Sequence, residues 1–309
     1  MREIAPGIEM IDTLLAGRQG LTACYLVRGE RPALVDTGAQ TGTEVVIEAL
    51  RRAGIGPGDL AHIVLTHIHL DHCGATGGLA AAFPGAQVVV HRRGARHLAE
   101  PDRLVAATAA VHGHRAPLYG GLEPTDPGRI TSAEDGHRVD LGGGRHLLMA
   151  ETVGHARHHM SVLDEETGTM LAGDAVGVTF GGGTPYPPMP PSDIDFDGWL
   201  RSLDRIEALA PAMLCPAHFG PVDDPGRTIA IMRAQLSVAA RAAEAAWDTG
   251  GGVPAVADAL DLALPLAPAV RDPAALERWE LVGWREANPD GVAAWAERRA
   301  GQRAEAAAG

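Results

Sequence analysis

The chain contains no lysine: all 26 basic side chains are arginine, set against 39 acids for a net charge of −13 over 309 residues. A strongly acidic surface repels phosphate backbones, and no basic run is present that would neutralise several phosphates together, so nucleic acid is not the expected partner. Cysteine is scarce too. Cys24, Cys73 and Cys215 lie far apart and are too few for a disulfide framework, which makes reduced, packed thiols the expectation. Nowhere do about 18 apolar residues run together, so no membrane-spanning helix is expected. The opening residues, Met1 to Pro6, lack the basic-then-apolar text of a secretory leader, and the expected location is the cytoplasm.

What is present is an ordinary globular composition, 46% hydrophobic and 21% charged, with enough chain to bury one large α/β domain carrying an appendage. Short apolar runs at Ala23–Val27, Ala33–Val35 and His62–Leu65 surround a helical stretch at Thr43–Ala53. A second series follows the same rhythm: Arg145–Ala150, Met160–Leu163, Met170–Ala172, a helix over Phe196–Leu209, then Met213–Cys215. Between the series, residues 101–136 read as an insertion with a helical piece at Leu104–Val111. Gly181–Ser192 reads as a stiff loop, and both segments are placed to wall a pocket or simply to connect.

From Thr228 the text turns helical, at Ile229–Trp247, Pro254–Leu262, Pro273–Glu286 and Asp290–Arg299. The expected division is a catalytic domain at 1–227 and a helical appendage at 228–309. Trp247, Trp279, Trp284 and Trp295 all fall in the appendage, where large rings must cover the main domain or a partner subunit. A homodimer is left open.

The densest chemistry is Thr66-His67-Ile68-His69-Leu70-Asp71-His72, directly after an apolar run. In an extended segment His67 and His69 project to one side, and the turn that follows brings Asp71 and His72 in from another direction, so one short loop can serve two ions. Imidazole and carboxylate together suit zinc or iron better than magnesium or calcium. Further donors stand after later apolar runs, at His155, Asp174 and His218. No Gly-x-Ser-x-Gly elbow offers a serine nucleophile, and Cys73, beside His72, reads as a small residue opening a helix.

A His-x-His-x-Asp-His segment followed by separate His, Asp and His residues, with Asp36-Thr37-Gly38 upstream, resembles the metallo-β-lactamase-fold superfamily over roughly residues 8–222. The resemblance implies a four-layer αββα sandwich. It implies that His67, His69 and His155 hold one metal, that Asp71, His72 and His218 hold a second, and that Asp174 bridges them. The expected cofactor is two divalent ions, zinc first, with iron or manganese left open. Asp36 would be scaffold bonded to loop amides. His159 would orient the metal loop, with His158 an added neighbour. The implied activity is hydrolysis of a small-molecule ester, thioester or lactone by metal-activated hydroxide, as in glyoxalase II-like and lactonase-like members, with Asp71 accepting the proton. The alternative is a persulfide dioxygenase-like oxidoreductase with one iron on residues matching His67, His155 and Asp174. Flavodiiron relatives carry Glu where this chain has His69. Loop position nominates Tyr119, Phe180, Tyr186, Met189 and Phe219 as pocket residues, and Arg271, Arg278 and Arg285 as groups for an acidic substrate.

Overall fold

Alternation within the apolar runs decides how the layers form. In strand β3 (Ala23–Val27) every residue is buried, but Cys24 and Leu26 join one core while Ala23, Tyr25 and Val27 join another. Side chains on a strand point to opposite faces with period two, so a fully apolar run belongs to a sheet covered on both sides. The same division separates Ile63 from Val64 in β5 (His62–Val64), and Val88 and Val90 from Val89 in β6 (Gln87–His91).

The computed structural model describes residues 1–180, 184–191, 193–222, 224–265, 273–282 and 284–308. In addition to β3, β5 and β6, the first sheet contains β1 (Arg2–Ala5), β2 (Ile8–Asp12), β4 (Ala33–Val35) and β7 (Ile130–Ala133). Its seven strands lie in chain order, antiparallel through β4 and parallel from β4 to β7. The second sheet runs β12 (Met213–Pro216), β11 (Thr169–Gly173), β10 (Met160–Asp164), β9 (His146–Glu151) and β8 (His137–Asp140), with only the β11/β12 pair parallel. The two sheets face each other across Tyr25, Val35 and Val64 on one side and Met149, Val162 and Leu171 on the other.

Helices cover both outer faces. On the first sheet, α1 (Thr43–Arg52) presents Val46, Ile47 and Leu50 to the core, the three-to-four spacing that puts one helical stripe inward. The connections there include the short helices α2 (Leu70–Cys73) and α3 (Thr76–Ala82), then α4 (Arg92–Ala99) and α5 (Asp102–His112). On the second sheet, α6 (Phe196–Ala208) packs Trp199, Leu203 and Ile206 against Met170 and Leu214. The result is the four-layer αββα sandwich.

The C-terminal helices continue that outer layer. In α7 (Pro225–Asp248), Ile229, Met232 and Leu236 enter the same cluster as Trp199, and α8 (Gly252–Ala263) adds Val256 and Leu260. A division between residues 227 and 228 falls inside the first turn of α7, which Asp224 caps by accepting from the Arg227 amide at 2.9 Å. Among the described residues two further helices follow, α9 (Pro273–Val282) and α10 (Trp284–Ala308). Helix α10 runs through Pro289 because Ala287, Val292 and Ala296 are buried on either side of it, and their packing outweighs the breaker. Trp279 lies on Phe180 and Tyr186, and Trp295 on Phe196, so both rings cover this chain's own core. The side chain of Trp284 lies outside the described residues, as do those of Arg271 and Arg285. All three cysteines are free and buried. No described helix is long and apolar enough to cross a membrane.

Candidate metal centre

Five loops bring polar side chains to one edge of the sandwich, each leaving the C-terminal end of a strand: Asp36 after β4, the His67–His72 segment after β5, His155 after β9, Asp174 after β11 and His218 after β12. Asp36 is the joint between them. Its φ of 58° is a left-handed conformation that non-glycine residues seldom adopt. From there its buried carboxylate accepts from the Thr66 amide at 2.8 Å, from the Thr66 hydroxyl at 2.9 Å and from His72 Nδ1 at 3.1 Å. One carboxylate thereby fixes both ends of the histidine-rich loop.

Partners outside the cluster settle which ring nitrogen faces inward. The Thr66 hydroxyl donates to Asp36, so His67 Nδ1, 3.0 Å from that hydroxyl oxygen, is the donor and His67 Nε2 keeps its lone pair. His155 Nδ1 donates to the Pro188 carbonyl at 2.9 Å, and His218 Nδ1 to the Leu21 carbonyl. In each ring the far nitrogen is left as an acceptor. This is the arrangement in which an outer hydrogen bond orients a metal-ligating imidazole.

The inward atoms form two groups with a carboxylate between them. His69 Nδ1 lies 3.1 Å from His67 Nε2 and 2.9 Å from His155 Nε2. On the other side His72 Nε2 and His218 Nε2 stand 3.2 Å apart, with Asp71 Oδ2 3.3 Å from His218. Asp174 reaches both: Oδ2 is 3.3 Å from His155 Nε2, while Oδ1 is 3.6 Å from His72 and from His218. Within each of three sets, donor atoms lie within 4.8 Å of one another: His67, His69 and His155; His67, His72 and Asp174; Asp71, His72 and His218.

The electrostatics match a cationic guest. Burial holds His67 and His155 far below the ordinary imidazole range and His69 at about 4, so these rings are neutral and offer lone pairs. Burial also opposes charge on His72, but the Asp71, Asp174 and Asp36 carboxylates outweigh it and lift this ring to about 10. Burial works against the charge on Asp71, yet His72 and His218 more than offset it and hold the carboxyl well below its usual range. Asp174 is raised by burial, and its Oδ1 is buried without a hydrogen-bond partner among the described residues. Facing lone pairs, an orphaned carboxylate oxygen and positive charge drawn onto His72 are all relieved by divalent ions among these donors, so the residues suit the group that the motif implies.

His159 stands one step back. Its Nδ1 faces the Thr152 hydroxyl at 2.9 Å and its Nε2 accepts from the Asp174 amide at 3.0 Å, so it positions the Asp174 loop. His158 is stacked over His67 at 6.2 Å between ring centres, with Nδ1 buried and unpartnered. Cys73 closes α2, and its thiol, pushed up by burial, lies 3.3 Å from the Ile68 carbonyl.

A cavity of about 480 Å³ opens over the cluster, with His69, Asp71, His155 and Asp174 at its base. Tyr119 lines it, buried, with a hydroxyl that has no hydrogen-bond partner among the described residues. The other loop-position candidates do not line it. Phe180 and Tyr186 turn onto Trp279, the Met189 amide is bound to Asn288 Oδ1 at 2.8 Å, and Phe219 packs between the sheets. Arg278 also lies elsewhere, donating to the Gln19 and Phe180 carbonyls. The cavity takes instead Arg93, Arg103, Arg157 and His112, none of them apparent in the chain text. One signal was available for Arg93: it follows the end of β6 as the metal-cluster residues follow theirs.

The sequence model of the metallo-beta-lactamase superfamily matches residues 17–218. A metallo-beta-lactamase fold-containing protein from Sulfurisphaera tokodaii is 37% identical over 167 residues, 53% of this chain and 62% of that protein. The chain thus spans about six-tenths of the length of the curated relatives that it matches first. Among solved structures, an archaeal metallo-beta-lactamase superfamily protein from Sulfolobus tokodaii superposes with a TM-score of 0.66 at 25% identity, covering 93% of this chain and 98% of the other. A metallo-beta-lactamase family protein from Thermus thermophilus, with a TM-score of 0.67, 24% identity and coverage of 96% and 94%, speaks for the fold alone. With its sandwich, its paired donor clusters and a family match over most of its length, this chain belongs to the metallo-beta-lactamase superfamily.

Proposed function

We propose that the chain is a dinuclear metal-dependent hydrolase acting on a small-molecule ester, thioester or lactone. The observation that carries this reading is the pair of donor clusters joined by Asp174 at the base of a substrate-sized cavity. His67, His69 and His155 would hold one divalent ion, Asp71, His72 and His218 the other, with one Asp174 oxygen toward each. Ions held there supply Lewis acidity toward water and toward a carbonyl oxygen.

The remaining roles belong to the chain. Asp71 stays ionised and turns Oδ2 to His218 and His72, which leaves its other oxygen to orient a water entering from the cavity and take its proton. The Tyr119 hydroxyl, without a hydrogen-bond partner among the described residues, is placed to donate to an oxygen of the substrate. The further donors Asp71, His72 and His218 favour a second ion over a single iron on His67, His155 and Asp174.

Metal analysis of the purified protein, paired with an ester, thioester and lactone panel, tests the reading. About two zinc ions per chain, with turnover lost on chelation and in His69→Ala, is the expected result. One iron per chain with oxygen consumption would overturn it.

A further inference from the structure

The cavity wall has a charge balance that the whole chain does not share. The chain is acidic by 13 charges, yet beyond the metal cluster this wall holds Arg93, Arg103 and Arg157 against a single carboxylate, Asp193. Arg157 pairs with Asp193 at 2.6 Å, and Arg93 uses Nη1 to donate to the Arg157 carbonyl at 2.9 Å. Arg103 has no ion pair or hydrogen bond among the described residues. Glu100, close by in sequence, is already bound to Arg96.

Helix α5 supplies a second, separate observation. None of its eleven residues is fully buried, although Leu104, Ala107 and Val111 form a stripe at helical spacing. That stripe lines the cavity. Leu104 also packs against the core, while Ala107 and Val111 leave apolar surface toward the cavity, between Arg103 at one end of the helix and His112 at the other. His112 packs against Tyr119 with ring centres 4.7 Å apart, and burial holds its imidazole below the usual range even though the Asp71 carboxylate favours the charged form, so this end of α5 is the one at the cluster. Nine helical steps lead from Arg103 to His112, about 13 Å at the usual rise.

Resting on the hydrolase reading, we infer that the substrate is an amphipathic acyl compound: its reacting carbonyl lies at the cluster, its apolar segment along α5, and an anionic oxygen group at Arg103. A guanidinium offers a planar fork of donors that matches a carboxylate or a phosphate, and Arg103, bound to no other described residue, breaks no protein contact by taking it. The α5 stripe gives the apolar segment its cover, and the helix sets the span between the two polar ends.

Binding separates this inference from the reaction. Zinc-loaded protein would be titrated calorimetrically with slowly reacting alkyl amides of graded length, ended by a carboxylate, a phosphate or a methyl group. The expected result is roughly tenfold tighter binding of an anionic probe than of its methyl counterpart. The advantage should be largest where the anion lies about 13 Å from the amide, should vanish in Arg103→Ala, and should persist in Arg31→Ala, which is outside the cavity. A larger advantage for phosphate than for carboxylate supports the subsite and names a phosphate ester as its occupant. No advantage for either anion, or one unchanged in Arg103→Ala, overturns the inference. Turnover of the matching esters reports on the reaction separately. Arg103-dependent binding without hydrolysis of any ester removes the hydrolase reading alone, and hydrolysis without anion selectivity removes the subsite alone.

Discussion

Asp36 does at the residue scale what three separate groups would otherwise have to do. It receives the Thr66 amide, the Thr66 hydroxyl and His72 Nδ1, and so sets the tautomers of two inward-facing rings. In Asp36→Asn one carboxylate oxygen becomes a donor. Where it faces His72 Nδ1–H, that ring must release its proton to Nε2, the atom aimed at the cluster. The expected outcome is a 10- to 100-fold loss of metal affinity with the fold intact, read by chelator competition beside circular dichroism. Tyr119 makes the opposite trade. Its buried hydroxyl is unpartnered, a state that costs about 1–3 kcal/mol, so Tyr119→Phe should be as stable as the parent or more so. If that hydroxyl meets the substrate, kcat should fall roughly 100-fold at unchanged metal content. A variant that only raises KM would make Tyr119 a wall.

Among the elements, the loop from β9 to His155 has the least freedom. Gly154 has φ of +138°, and a Cβ there would stand 2.3 Å from Trp199 Cβ and 2.4 Å from Trp199 Cα. Its carbonyl accepts the Asp195 amide at 2.9 Å, which ties the first turn of α6 to the residue before a metal-cluster histidine. Gly154→Ala combines a disfavoured backbone conformation with overpacking, and a loss of about 2–5 kcal/mol is expected by denaturant titration. Metal affinity should fall with it, because α6 can move only by carrying His155 along. Unchanged affinity in a destabilised variant would show that the loop and the helix are not coupled.

Over the whole molecule, the second sheet has its outer face covered in part by residues far along the chain. Met170, Trp199 and Leu203 share one cluster with Ile229, Met232 and Leu236 of α7 and with Val292 and Trp295 of α10. A chain ending at residue 224 would leave that apolar face to solvent. The fragment is expected to be insoluble or loosely packed, seen as loss from the soluble fraction or as near-ultraviolet dichroism without fine structure. A soluble, cooperatively unfolding fragment would instead make the helices from 225 onward a dispensable addition.

The sequence by itself determined what depends on local spacing. Fully apolar runs such as Ala23–Val27 announce strands covered on both faces, and four donors packed between His67 and His72 announce a loop able to hold metal, because period and density are properties of neighbours in the chain. His155, Asp174 and His218 were legible for a related reason, each standing just past an apolar run. Side-chain direction is another matter. Phe180 follows Asp174 closely in sequence, yet Trp279, about a hundred residues later, draws it into the core. Arg93, Arg103 and Arg157 carry no shared signal along the chain, and only the approach of α4, α5 and the β9–β10 loop gathers them on one wall. Which nitrogen of each imidazole faces inward was also left to tertiary structure, since the partners that hold the other nitrogen, such as the Leu21 and Pro188 carbonyls, come from distant segments. A hydrogen bond between remote segments leaves no periodicity in the text, and it exists only once the layers have closed.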